Sequence, residues 1–575
     1  MTVGTWLLKI QERGSGIALK FKAADQWKNV TWDEYLAKII SYAQQMKKLG
    51  LSSSDHVGIL SSSRLEWAVT DMAIVGSGLV SIPLYANLSD DDLLYVINHS
   101  ELKLLIIEND SYQKQIDRIK KRFINSIQIK AFEDFDLDTA PSNADRDFFF
   151  KACATLKEKD IATIVYTSGT TGTPKGVVLT HESIASEVTE IFSMVGVKPT
   201  HTTLSFLPYA HVMGRAEIWG NLYNGHTLAF AESIDKLKNN LIEVKPDFII
   251  AVPRIFEKIY SGILAKIETQ PLSQKIFQKA IEVASEVARY RTTKQAIPWS
   301  LLIQYETLSR IAFAPIKKAF GGNLLFAVSG GAPLAAELTQ FFSYCGIQIL
   351  EGYGLTETCA AVTVNTRTNF NPGTVGNPVG DVKIKFAADG EILIKSKKCM
   401  KEYFKNPEAT AQVMVDGYFA TGDIGEFTKT GQLKITDRKK DLIKTANGKY
   451  VAPQKLEGLL KQESLISQVL IHGDQRKFVS AIISVEEAQV KQWAQVAKLN
   501  YSTVDELYQN PALRLRIQKQ IQAINSLLAS HEAIKKFEIV SDAWTIESGA
   551  LTPSMKIKRK FLEQKYQSLL GEMYE

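Results

Sequence analysis

Between residues 30 and 230 the chain repeatedly switches hydrophobic period, and that alternation limits its architecture more than any other feature. "TWDEYLAKIISYAQQMKKLG" (31–50) opens on a Thr able to cap a helix, runs at helical spacing and stops at Gly50. "HVGILS" (56–61) is a short apolar run of the kind that fills a buried strand. "LEWAVTDMAIVGSGLVSIPLY" (65–85) reads as helix, glycine break and strand, and "KLLIIE" (103–108) and "FIIAVP" (248–253) read as further buried strands. Strands apolar on both sides need helices on both faces, so the pattern predicts an α/β fold with largely parallel sheets.

The pattern then changes twice. From about 254 to 320 it is helical and polar, as in "RIFEKIYSGILAKIETQ". After 380 the strands are two-faced and separated by glycine turns, "VKIKFAADGEILIKS" and "IGEFTKTGQLKITD", which predicts a smaller antiparallel β subdomain. Charged residues crowd "DRKKDLIK" (437–444) and mark a boundary; helix and strand alternate again from there to 575. The expected organisation is a large N-terminal domain, residues 1–437, of mixed sheets with flanking helices plus the antiparallel β subdomain, then a small α+β C-terminal domain, residues 438–575. A chain of 575 residues is too long for one core, in keeping with this division.

Charge and cysteine content narrow the function classes. The net charge of +6 suits anionic substrates or weak contact with an anionic membrane, and is too sparse for a nucleic-acid binder. The four cysteines form no CxxC pair, as expected of reduced thiols in a cytoplasmic protein. No apolar run reaches the roughly 18 to 20 residues a membrane span needs, which leaves room only for a peripheral contact at the inner face of a membrane.

"YTSGTTGTPKG" (166–176) has almost nothing to bury. Gly and Thr at this density supply backbone N–H groups and hydroxyls, the groups that wrap a polyphosphate, and the lysine adds a point charge. A Walker loop would open a helix; here the strand run "GVVLTH" follows. A plain hairpin turn is the blander reading, and it leaves the lysine and the threonine pairs unexplained.

This stretch resembles the phosphate loop of the AMP-forming adenylating enzymes. "EGYGLTET" (351–358), "YFATGDIGEF" (418–427), "DRKKDLIKTANGKYVAPQKLE" (437–457) and "LTPSMKIKRK" (551–560) resemble that family's adenine and magnesium, ribose, hinge and catalytic-lysine motifs, in the family's order. Residues 55–85, "LPYAHVMGR" (207–215) and the "NGKYVAPQKLE" end of the hinge motif are similar to the long-chain fatty acyl-CoA synthetase branch. Two departures stand out: a serine at 168, and Asn447 in place of one glycine before Lys449, where Asn tolerates the turn.

The resemblance implies a ligase with two half-reactions. A long-chain fatty acid carboxylate attacks the α-phosphate of ATP, giving an acyl-adenylate and pyrophosphate; coenzyme A thiolate then displaces AMP. It implies Mg2+ as cofactor, with Thr167 and Glu357 at the metal positions. Thr167, Ser168, Gly169, Thr170, Thr171, Gly172 and Lys175 would hold the β- and γ-phosphates. Gly331, Glu351, Gly352, Tyr353 and Thr356 match positions around adenine and the α-phosphate. Asp423 matches the ribose-binding aspartate, with Arg438 beside it, and Lys440 and Lys444 match hinge-motif lysines near the nucleotide. Lys556 aligns with the catalytic lysine, Lys558 being the alternative register, while Lys558, Arg559 and Lys560 otherwise read as a solvated basic face. His211 is expected to line the acyl pocket. The same resemblance implies a mobile C-terminal domain with its hinge near Lys440, and is compatible with a homodimer. Two other readings stay open: an acyl-AMP ligase or adenylation enzyme serving a carrier protein, and a non-catalytic nucleotide or fatty-acid sensor. A sensor is expected to have lost Lys556, Glu357 or Asp423, and all three are present.

Overall fold

The computed structural model describes the chain from 1 to 575 apart from residues 168–172, 269–270, 294, 547 and 553–555. The helix expected over 31–50 forms as Trp32–Lys48. Thr31 caps it in a reciprocal capping box with Glu34, and the acidic first turn and basic last turn complement the helix dipole. The apolar runs become strands His56–Leu60, Val80–Leu84, Leu104–Ile107 and Phe248–Ala251.

Among the described residues these strands belong to two large mixed sheets. The seven-stranded sheet has a parallel centre, in which His56–Leu60 lies between Val80–Leu84 and Leu104–Ile107. At one side Ile161–Thr167 and Lys175–Thr180 pair antiparallel. The nine-stranded sheet runs parallel through Thr202–Ser205, Phe248–Ala251, Phe326–Ser329 and the start of Gln348–Leu355. Its far edge is the N-terminal hairpin Ile17–Ala23 and Gln26–Thr31.

Helix Leu65–Gly76 is buried on nearly every face, as a helix between layers must be. Its Asp71 is fully buried and pairs with Arg215 of helix Val212–Asn224 at 2.6 Å. Arg215 also donates to Thr163 Oγ1 at 2.5 Å, and Ser81 donates to Asp71 at 2.6 Å. Each charged group is thus matched by fork geometry and by hydroxyls, the condition under which a buried ion pair is tolerated. The network ties a helix packed on the nine-stranded sheet to a central strand of the seven-stranded one.

Residues 253–319 form helices Pro253–Glu268, Pro271–Thr292, Trp299–Ala312 and Ala314–Ala319. The antiparallel β unit forms as expected: Lys383–Phe386 and Glu391–Lys395 make a hairpin, and Tyr418–Phe427 pairs with Leu433–Arg438. Beyond it, strands Ile466–His472, Val479–Val485 and Ile534–Val540 form a separate sheet with its own apolar core, which runs from Ile443 to Phe537. The architecture is the α/β fold read from the sequence. Among the described residues no helix is long and apolar enough to cross a membrane.

Candidate active site

The ends of both large sheets, the antiparallel β unit and the C-terminal unit meet around a cavity of about 950 Å³. Strand Ile161–Thr167 delivers Thr167 to its wall, and the return strand begins at Lys175, directly opposite in register. Ser168, Gly169, Thr170, Thr171 and Gly172 lie outside the described residues. The Lys175 ammonium stands 4.8 Å from the ring of Tyr403.

Strand Gln348–Leu355 supplies the next wall, with Gly352, Tyr353, Thr356 and Glu357; Gly331 lines it from the neighbouring strand end. Gly354 is required there, because a Cβ would stand 1.5 Å from the Ala360 carbonyl oxygen. That close approach lets the chain double back and hold Glu357 in a short 3-10 turn. Tyr403 Oη donates to Glu357 Oε1 at 2.7 Å. Glu351, in the same motif, turns away. It is buried, accepts from Thr339 Oγ1 (3.1 Å) and Gly373 N (3.3 Å), and burial pushes its carboxyl up to about 7.

Asp423 sits on strand Tyr418–Phe427, 4% exposed, behind two residues of the wall. Tyr353 Oη donates to its Oδ2 at 2.7 Å and Arg438 Nε to its Oδ1 at 2.9 Å. One bond per oxygen leaves accepting capacity on both. Arg438 and Lys440 line the cavity; Lys444 does not, and its ammonium lies 5.7 Å from the ring of Tyr450.

His211 caps helix Val212–Asn224, its Nδ1 accepting from Met213 N at 3.2 Å, so the neutral ring carries its proton on Nε2. Burial and then the nearby Lys556 charge hold its pKa down to about 4. Apolar side chains also line the cavity: Ile191, Phe192, Met213, Ala216 and Ala360. One acid stands among them, Glu187, one helical turn before Ile191. It accepts from Ala361 N at 2.8 Å, and burial pushes its carboxyl up to about 7. Phe192 packs over Gly220, where a Cβ would come within 1.9 Å of the ring, and stacks on His226 with centroids 5.7 Å apart.

Lys556 reaches the cavity from the C-terminal unit. It keeps solvent contact through the cavity although protein surrounds it. Burial, and next the Arg438 charge, hold its ammonium below the usual lysine range, while Asp423 and Glu357 pull the other way. Its backbone N donates to Thr552 Oγ1 at 3.1 Å, and Thr552 also lines the wall. Lys558 is off the wall. Arg559 departs from the expected solvated face: it pairs with Glu457 at 2.7 Å and donates to the Ile471 carbonyl at 2.7 Å. Tyr403 and Thr552 escaped sequence reading; neither stood out by residue type in its segment.

The stretch joining the two units is anchored on both sides of Lys440. Lys439 Nζ pairs with Asp389 (2.6 Å) and Glu391 (2.8 Å) of the β unit. Asp441 accepts from Gln454 of the C-terminal unit at 2.8 Å. Lys440 itself is exposed.

Two large mixed sheets, an antiparallel β unit and a small C-terminal α+β unit thus surround one cavity. The AMP-binding enzyme profile matches residues 9–404, and the AMP-binding enzyme C-terminal domain profile matches 440–575. The long-chain-fatty-acid–CoA ligase FadD15 of Mycobacterium bovis is 34% identical over 95% of this chain and 92% of its own length. The peroxisomal long chain acyl-CoA synthetase 7 of Arabidopsis thaliana is 31% identical over 91% and 78%. In fold, the adenylation domain of a Mycobacterium chelonae carboxylate reductase superposes with a TM-score of 0.75 at 22% identity, covering all of this chain and 91% of that one. The o-succinylbenzoate CoA synthetase of Bacillus subtilis, in complex with its acyl-adenylate intermediate, superposes at 0.68 and 19% identity, over 97% of each. This chain belongs to the AMP-binding enzyme family.

Proposed function

We propose that the protein ligates a long-chain fatty acid to coenzyme A, consuming ATP and releasing AMP and pyrophosphate. The observation that carries the reading is the position of Lys556. It comes from the C-terminal unit, yet it stands on the wall of the cavity that His211 also lines, with Arg438, Asp423 and Glu357 within electrostatic reach.

In the first half-reaction a substrate carboxylate oxygen bonds to the α-phosphorus and the bond to pyrophosphate breaks. Lys556 neutralises charge on the carboxylate and the transferring phosphoryl group, and Lys175 neutralises it on the departing phosphates. Tyr353, Asp423 and Arg438 hold the nucleoside side. His211 and the apolar wall hold the acyl chain and keep water from the mixed anhydride. In the second half-reaction the coenzyme A sulfur bonds to the acyl carbon and AMP leaves.

The Thr167 hydroxyl and the Glu357 carboxylate offer oxygen ligands of the kind a hard divalent cation takes. Among the described residues no group of three or more His, Cys, Asp or Glu side chains could hold a metal without help, so Mg2+ would share its shell with substrate phosphates and water. When bound, it would supply neutralisation of phosphate charge.

One active site serves both half-reactions if the C-terminal domain, expected from residue 438 onward, turns about Lys440 while Arg438 and Lys439 stay on the β unit. The anchors at Lys439 and Asp441 support that pivot, because they bind the joining stretch to opposite units within three residues.

The test is to incubate the purified protein with ATP, Mg2+, coenzyme A and palmitate and to identify every product. Palmitoyl-CoA and AMP in equal amounts are expected. AMP with palmitoyl-adenylate but no thioester would replace this reading with an acyl-AMP ligase, and no ATP turnover with any carboxylic acid would overturn it.

A further inference from the structure

Lys398 lies in the turn after strand Glu391–Lys395 and is fully buried. Its ammonium stands 3.2 Å from Glu187 and 3.1 Å from Glu190, both on helix His181–Val195, and donates to the Ala361 carbonyl at 3.3 Å. Glu187 takes the other polar group of the same residue, accepting from Ala361 N. Gly380 makes room for Glu190, since a Cβ there would stand 1.9 Å from the Glu190 carboxylate. For stability alone, well-packed apolar side chains would serve such a site at least as well as a buried ion cluster. This cluster instead grips one backbone residue, Ala361, from both sides.

Ala361 ends a turn that needs holding. Between Glu357 and Ala361, Cys359 has φ +56° and Ala360 has φ +102°, a region that residues other than glycine avoid. Backbone of that kind persists only where its surroundings over-determine it. One segment does so here at three points. Met400 N donates to the Glu357 carbonyl at 2.7 Å, Tyr403 Oη to the Glu357 carboxylate, and Lys398 to the Ala361 carbonyl. The same segment is fixed to the strand that begins at Lys175: Lys401 N donates to the Val178 carbonyl and Phe404 N to that of Gly176. Glu357 and Lys175, which both line the cavity, therefore hang from one frame. Lys398 is the part of that frame that reaches the far end of the turn, and it is not itself on the cavity wall.

We infer that Lys398 is a positioning residue for adenylate formation and acts through Glu357. Paired with Glu187 and Glu190, it holds the strained turn closed, so the Glu357 carboxylate keeps one place on the cavity wall before any nucleotide arrives. The effect on rate rests on the proposed ligase reading; the effect on the turn does not.

Amide hydrogen exchange over residues 357–364 is compared in the wild type and Lys398→Met, without ATP, acid or coenzyme A. Exchange should quicken there and stay unchanged in strands Ile466–His472 and Val479–Val485 of the C-terminal unit. Adenylate formation, read as pyrophosphate exchange with palmitate, should fall about 10- to 100-fold, the usual cost of losing a group that orients a metal-binding side chain. Glu357→Gln, alone and combined with Lys398→Met, separates positioning from a general loss of structure. If Lys398 acts through Glu357, the double variant is no slower than Glu357→Gln alone to within about twofold. Losses that multiply would overturn the inference, and so would unchanged hydrogen exchange over the turn or unchanged adenylation in Lys398→Met. That variant leaves two carboxylates without their cation; where it does not fold, Lys398→Met with Glu187→Gln and Glu190→Gln takes its place under the same expectations. Absence of adenylation in the wild type would remove the ligase reading, and hydrogen exchange over the turn would still decide whether Lys398 holds it.

Discussion

Arg438 Nε donates to Asp423 Oδ1 at 2.9 Å, which ties the acid of one β strand to the last residue of the strand beside it, two positions before Lys440. Asp423 is therefore held on both oxygens before any nucleotide arrives, the other bond coming from Tyr353. A preorganised acceptor loses little on binding a diol, and removing it leaves two hydroxyls unpaired. Hydrogen bonds to charged groups contribute about 1.5–3 kcal/mol, so Asp423→Ala should raise the KM for ATP roughly 10- to 150-fold. An unchanged KM in a folded variant would take the residue out of the nucleotide site.

Lys556→Ala should slow adenylate formation by about 10²–10³-fold, the scale for loss of one positioned electrostatic donor. Thioester formation from chemically prepared acyl-AMP and coenzyme A should be largely spared. Lys558 is off the cavity wall, so Lys558→Ala is the control. A larger adenylation defect in that variant would show that the wrong lysine has been assigned.

Lys440→Pro fixes φ near −65° and removes an N–H at the proposed pivot. The arrangement seen here, with Lys556 in the cavity, is the one that suits adenylation. Pyrophosphate exchange should survive in the proline variant while thioester formation falls much further, and Lys440→Ala separates loss of charge from loss of backbone freedom. Equal losses in the two variants, or no loss in the proline variant, would place the pivot elsewhere.

Glu217 is fully buried, with one hydrogen bond from Ser205 Oγ at 2.6 Å, and burial pushes its carboxyl from 4.5 up to about 8. Between those values the folded chain holds a proton that the unfolded chain releases. Its contribution to stability is therefore greatest below pH 4.5, falls as pH rises and levels off above about 8. Glu217→Gln cannot titrate, so its stability relative to the wild type should rise across that window by on the order of a few kcal/mol. Urea midpoints for both proteins at the two ends of the window check this, and parallel pH profiles would mean that Glu217 is ionised in the folded state.

What the sequence could and could not reveal follows from the range of the forces involved. The helix from Trp32 to Lys48 was legible because its cap, capping box and apolar spacing are all local. The pairing of Leu19 with Leu228 was not, since period says nothing about which distant strand lies alongside. Within "EGYGLTET" spacing could not tell that Glu351 turns toward Thr339 while Glu357 turns toward Tyr403, because Gly354 and a bulge after Tyr353 reset the alternation of faces. Arg559 read as one more cation in a basic run, and only the tertiary approach of Glu457 and Ile471 encloses it.

If the apolar side chains that line the cavity with His211 receive a long alkyl chain, the most direct measurement is kcat/KM for straight-chain acids from acetate to arachidate under saturating ATP and coenzyme A. Each buried methylene contributes about 0.8 kcal/mol, so efficiency should climb roughly fourfold per methylene until the cavity is filled, with ordering costs lowering the slope. Palmitate should exceed acetate and butyrate by many-fold, mostly through KM. A flat series, or acetate or an aromatic acid turned over more efficiently than palmitate, would contradict the account.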